Sequence, residues 1–106
     1  MSYCCIISTA PNIKKARQLA GLLVSKRLAA CVQLLPGIES HYRWRGKKET
    51  SKEVLLLIKT PSSGYRKVEK TLLKYHPYEV PEIICLPITK GSKSYLDWIS
   101  AEGTAF

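Results

Sequence analysis

Seven consecutive residues, His76-Pro77-Tyr78-Glu79-Val80-Pro81-Glu82, place an imidazole, a phenol and two carboxylates side by side. A neutral imidazole ligates copper, zinc or nickel, and carboxylates move protons or fix the donors of a bound ligand. Each proline removes a backbone N–H and biases its predecessor towards extended geometry, so no helix runs through the segment. A stiff, irregular backbone dense in polar side chains suits a binding cleft. His76 is therefore a candidate metal ligand; the alternative is a helix C-terminal cap whose charged form favours the dipole. Tyr78, Glu79 and Glu82 form a candidate ligand-binding set, and the competing role for Glu79 is an ion pair with Lys59 or with an arginine of a neighbouring subunit. The second histidine, His41, alternates with apolar positions next to Arg43 and is expected at the surface. Asp97 is expected to support the cap of its helix, with Trp98 anchoring that helix to a sheet. No nucleophile stands beside a base, so the chain is not expected to be an enzyme.

The 106 residues suffice for one domain, 1–106, around a single core. Hydrophobic residues at 45% and charged residues at 24% describe a folded rather than a disordered chain. No apolar run reaches the roughly 20 residues that span a bilayer, and no secretory signal is visible, so a cytoplasmic protein without membrane partners is expected. Cys4 and Cys5 point to opposite faces of a strand, while Cys31 and Cys85 sit singly in apolar runs. Without a C-x-x-C pair these read as reduced, structural thiols. The net charge of +9 attracts nucleic acid or anionic metabolites, but the basic residues are scattered and only Arg43, Arg45, Lys47 and Lys48 gather. A solvated surface is the simpler reading.

Periodicity supplies the elements that hold these residues. Residues 3–9 read as a short buried strand, and Pro11-Asn12 as its end and an N-cap. Ile13, Ala16, Leu19, Ala20, Leu23 and Val24 recur at three- and four-residue steps, an amphipathic helix of about 16 residues with Lys26 and Arg27 near its C-terminal dipole. Ala30–Leu35 is extended, and Pro36-Gly37 predicts a bulge or bend. Ile38, Ser40, Tyr42 and Trp44 then alternate with polar residues as a half-buried strand, Gly46-Lys47-Lys48 turns, and Lys52–Thr60 returns as the most apolar strand. Pro61-Ser62-Ser63 opens a second helix with Tyr65, Val68, Leu72 and Tyr75 on one face. Glu82–Ile88 is a strand, and Ser92 or Ser94 caps a last short helix. The order β-α-β-β-α-β with an appended helix predicts an α+β, ferredoxin-like fold.

A length mismatch points beyond one chain. The first helix reaches roughly 24 Å, whereas the bent strand Ala30–Arg45 reaches on the order of 50 Å. The overhanging hairpin carries Tyr42 and Trp44 with an open backbone edge, and self-association would cover both.

Several segments in this order and spacing resemble the divalent-cation-tolerance family, CutA. They are Thr9-Ala10-Pro11, Arg27-Leu28-Ala29-Ala30-Cys31-Val32, Pro36-Gly37-Ile38 with Tyr42-Arg43-Trp44 and Gly46-Lys47, Glu53–Thr60, the His76–Glu82 run, and Tyr95-Leu96-Asp97-Trp98. The resemblance implies a homotrimer built by sheet extension, with inter-subunit clefts lined by Tyr42, Trp44, Lys59, Tyr78, Glu79 and Glu82. It implies a part in tolerance to divalent cations, copper above all, in an architecture like that of PII signalling trimers sensing a metal ion or small anionic metabolite. Copper binding in some members is attributed to a cysteine and two consecutive histidines; here those positions hold Ser8, Tyr75 and His76, so only His76 is kept. A basic nucleic-acid-binding module is the alternative, disfavoured because Val54-Leu55-Leu56-Leu57-Ile58 lacks the Gly and aromatic alternation of an RNA-recognition strand.

Overall fold

A computed structural model describes residues 1–103. The element order is β1 (Tyr3–Ala10), α1 (Ile13–Ser25), β2 (Cys31–Trp44), β3 (Lys47–Pro61), α2 (Tyr65–Tyr75), β4 (Ile83–Ile88) and α3 (Lys93–Glu102). The strands form one sheet in the order β2-β3-β1-β4, each neighbouring pair antiparallel. This is the expected ferredoxin-like arrangement.

Two-residue alternation decides which face is covered. Cys4, Ile6, Ala10, Val54, Leu56 and Ile58 are buried against Ala16, Leu19 and Leu23 of α1 and Val68 and Leu72 of α2. The residues between them, with Ile84 and Leu86 of β4 each 47% exposed, form a face without a helix layer. Antiparallel sheets tolerate one solvated face, but that face is then normally polar. Here Leu57, Ile7 and Ile84 lie opposite one another across β3, β1 and β4, with Leu55 and Leu86 further along the same face.

Asn12 caps α1 as expected, its Oδ1 accepting the Lys15 N–H at 2.8 Å. The helix has 13 residues, short of the expected length, and its apolar repeat lies wholly within it. Arg27 ends it in the left-handed region (φ 57°). Its guanidinium donates to the carbonyls of Ala101 and Glu102 instead of serving its own helix dipole. In α2 the exposed Tyr75 leaves the core and lies between the ammonium groups of Lys26 and Lys74. Ser92 is the cap of α3; Asp97 pairs with Lys93 at 2.7 Å rather than supporting that cap. Ile99, not Trp98, anchors α3, since Trp98 is 41% exposed beside Tyr95.

The hairpin is longer than the sequence suggests. Trp44 pairs directly with Lys47, so the turn is Arg45-Gly46 and β3 begins at Lys47. Both turn residues have positive φ, 51° and 79°, the conformation that matches the twist of a two-residue hairpin. The ribbon stretches the molecule to 44 × 25 × 21 Å with a radius of gyration of 14.1 Å, against about 13 Å for a compact chain of this length.

Candidate functional site

One extra residue in β2 builds the site. Leu35 lies opposite Leu55, and the next registered pair is Ile38 opposite Glu53. Pro36-Gly37 thus forms the expected bulge, with Gly37 at φ 81°. The bulge resets the alternation, so that Ile38, Ser40, Tyr42 and Trp44 share the helix-free face with Glu53 and Leu55. Without it His41 and Arg43 would occupy that face. Thr9, opposite Leu55 on β1, completes the floor.

The His76–Glu82 segment closes over this floor. His76 is 9% exposed. Its Nε2–H donates to the Thr9 carbonyl at 2.6 Å, and its Nδ1 accepts the Tyr78 backbone N–H at 3.1 Å. That ring in turn packs at 4.8 Å from the Tyr78 ring. The Tyr78 hydroxyl donates to Glu53 at 2.6 Å. Glu79 accepts from Arg45 at 2.8 Å, fastening the segment to the hairpin turn. Between hairpin and segment lies a cavity of about 640 Å³, lined among others by Tyr42, Trp44, Glu53, Tyr78, Glu79 and Glu82.

The electrostatics centre on the Tyr78–Glu53 bond. Burial alone would raise the Glu53 carboxyl, but hydrogen bonds from Tyr78, then from Ser40 and Thr9, outweigh it and bring the group below the ordinary glutamate value. Burial and the facing Glu53 carboxylate push the Tyr78 phenol well above the usual tyrosine range. Both effects favour one state, a neutral phenol donating to an ionised carboxylate.

Five of the six cleft residues named from the sequence therefore meet. Lys59 does not: it shares the face of Glu53 but lies six residues along β3, about 20 Å away, where its ammonium donates to Gln33. Within the chain Glu79 pairs with Arg45 and not with Lys59. His76, the candidate metal ligand, sits at the start of the segment. Both ring nitrogens are engaged and the side chain is buried, so its role is to lock the start of the segment. Ser8 is fully buried among the helix-covered residues of β1, and Tyr75 is exposed between lysines. The three positions that correspond to the family's attributed copper ligands, Ser8, Tyr75 and His76, thus lie in different surroundings. Among the described residues no group of three or more His, Cys, Asp or Glu side chains is placed to hold a metal ion. Glu53 was missed from the sequence. Its signal is a carboxylate heading the most apolar strand, in phase with Leu55 and Leu57, where a buried charge demands partners.

The CutA1 divalent ion tolerance protein family model matches residues 4–102. The chain belongs to the CutA1 family. Its relative in Thermus thermophilus, called a divalent-cation tolerance protein CutA, is 45% identical over 94 residues, which cover 89% of this chain and 91% of that one. The mouse protein CutA is 48% identical over 91 residues, covering 86% of this chain; the match spans about half of the mouse protein's length, 51%. The crystal structure of CutA1 from Oryza sativa superposes with a TM-score of 0.93 at 41% identity, covering 96% of this chain and 94% of that one. The CutA1 assignment thus rests on sequence and on fold together.

Proposed function

We propose that this CutA1-family chain acts in tolerance to divalent cations, copper in particular, as a homotrimer whose subunits share the cleft between the hairpin and the His76–Glu82 segment. The carrying observation for the role is the divalent ion tolerance family match across residues 4–102. The assembly reading is supported by the uncovered face. Leu35, Tyr42, Trp44, Ile84 and Leu86 are 55%, 45%, 38%, 47% and 47% exposed on or beside it, and exposed apolar groups of this size are what an interaction surface offers. The outer edges of β2 and β4 also offer unpaired backbone groups to another strand.

In this reading the protein is a binding or signalling component of PII-like architecture rather than an enzyme, and its effect on metal tolerance runs through the ligand of the cleft, not through a copper centre at His76. Four unpaired thiols suit a reducing compartment such as the cytoplasm. The role is tested by complementation. A bacterium made copper-sensitive by loss of its own CutA1 relative should regain growth on copper when it expresses this chain, and should not when the chain carries Tyr78→Phe with Glu53→Gln. Equal growth with both versions would separate the cleft from the role.

The nucleic-acid alternative has less behind it. The chain's charge is not matched by a base-stacking face, since the sheet's open surface displays aliphatic side chains at its centre.

A further inference from the structure

We infer that the cavity between hairpin and segment is a site for an organic cation, a primary amine or alkylammonium ion. This rests on the cleft reading above, but not on how many chains share the cleft. It reverses the sign expected from the overall charge.

The chain carries 17 Lys and Arg against 8 Asp and Glu, yet no lysine or arginine lines the cavity, while three glutamates do. Their charges are not equally spent. Glu79 is neutralised by Arg45. Glu53 is 8% exposed and is met by hydroxyl groups, above all the Tyr78 phenol at 2.6 Å; a hydroxyl stabilises an ionised carboxylate without cancelling its charge. Glu82 has no hydrogen-bond or ion-pair partner among the described residues. The one group in the wall able to carry a positive charge, His41, is held by Glu39 at 2.7 Å and faces Thr50 at 3.3 Å. Two carboxylates thus line the cavity without a lysine or arginine paired to them among the described residues.

The walls decide which cation. Tyr42, Trp44 and Tyr78 present three aromatic rings to the same space, and aromatic faces attract weakly hydrated cations such as ammonium and guanidinium groups. Trp44 already does so at the rim, where the Arg45 guanidinium lies 5.4 Å from its ring centroid. A bare metal ion would instead need several oxygen or nitrogen ligands converging at 2.0–2.6 Å by the general rule for such ions, roughly six to eight for calcium, and the described residues offer no such group. An anion would have to lose its water beside two negative charges. A volume of about 640 Å³ falls in the range of small-molecule sites and admits an extended diamine.

Putrescine is the direct probe, titrated calorimetrically into the full chain at pH 7 and low salt, with the protein's mass measured by light scattering on the same samples. The expected result is saturable binding at one putrescine per chain, competed by tetramethylammonium and unaffected by succinate. Glu82→Gln, whose exposed side chain bears no fold contact, should weaken it roughly tenfold, the scale of one charge-assisted contact. Trp44→Leu should abolish competition by tetramethylammonium. Absence of putrescine binding, binding of succinate in its place, or binding insensitive to Glu82→Gln would each overturn the cation site. A trimer that ignores putrescine sinks this inference alone. A monomer that binds it leaves the inference standing and sinks the proposed assembly.

Discussion

At the residue scale, one hydrogen bond carries most of the site's order. The Tyr78 phenol and Glu53 carboxylate hold the irregular segment to the sheet, and each shifts the other in the direction that preserves the bond. The pH window follows from those directions. A carboxyl depressed by folding contributes stability above its unfolded value of about 4.3 and loses it as pH falls through the lower folded value; a phenol raised by folding contributes below about 10 and loses it as pH rises through the higher folded value. Between these limits Tyr78→Phe should cost about 2 kcal/mol in urea denaturation, as for a hydrogen bond to a charged acceptor. As pH falls through the lowered folded value of Glu53 the cost should shrink towards the ~1 kcal/mol of a neutral pair. A cost independent of pH would show that the phenol does not face an ionised carboxylate. The rigid polar run was legible in the sequence because prolines and polar types declare themselves locally. The inward use of His76 was not, because whether an imidazole projects or is buried depends on the Thr9 carbonyl, sixty-seven positions away.

At the scale of elements, the bulge at Pro36-Gly37 determines what the cleft contains. Its existence could be read from the dipeptide, but its consequence could not, since a one-residue offset between β2 and β3 exchanges Tyr42 and Trp44 for His41 and Arg43 on the helix-free face. Glu53 was hidden for the same reason: its place opposite Ile38 exists only after the offset. Gly37 at φ 81° has no atom within 4 Å of an added Cβ, so a side chain there meets backbone strain rather than a clash. Gly37→Val should therefore destabilise by about 1–2 kcal/mol and lower the melting temperature. Restoration of wild-type stability by Asn at this position, which tolerates the left-handed region, would tie the effect to φ. Equal losses for Val and Asn would instead indicate a packing role that the open surroundings do not explain. Helix ends were the least legible elements. The helix was expected to reach about 16 residues, but Arg27 adopts the left-handed conformation and the Leu28 N–H closes onto the Leu23 carbonyl, which ends α1 locally.

At the scale of the whole molecule, the fold leaves one sheet face open. Helices cover one sheet face, while the other carries aliphatic and aromatic groups in contact with water. The length mismatch between helix and ribbon made the overhanging hairpin with Tyr42 and Trp44 legible, and the structure lengthens it by starting β3 at Lys47. The apolar character of the central open face, around Leu55, Leu57, Ile84 and Leu86, was blurred in the sequence. A continuous apolar strand does not reveal which of its faces will lack a cover. Trp44→Arg places a charge on the ribbon where the proposed neighbour packs and should shift the assembly towards smaller species in light scattering at micromolar concentration. An undiminished assembly would remove Trp44 from the interface.

Everything in the proposed role presumes that copies of the chain complete one another. Native mass spectrometry of the untagged protein at low micromolar concentration tests this most directly. The predicted result is a single species of three times the 11.9 kDa chain mass, together with any small molecule retained in its clefts. A folded species at 11.9 kDa, with no larger form present, would contradict the shared cleft.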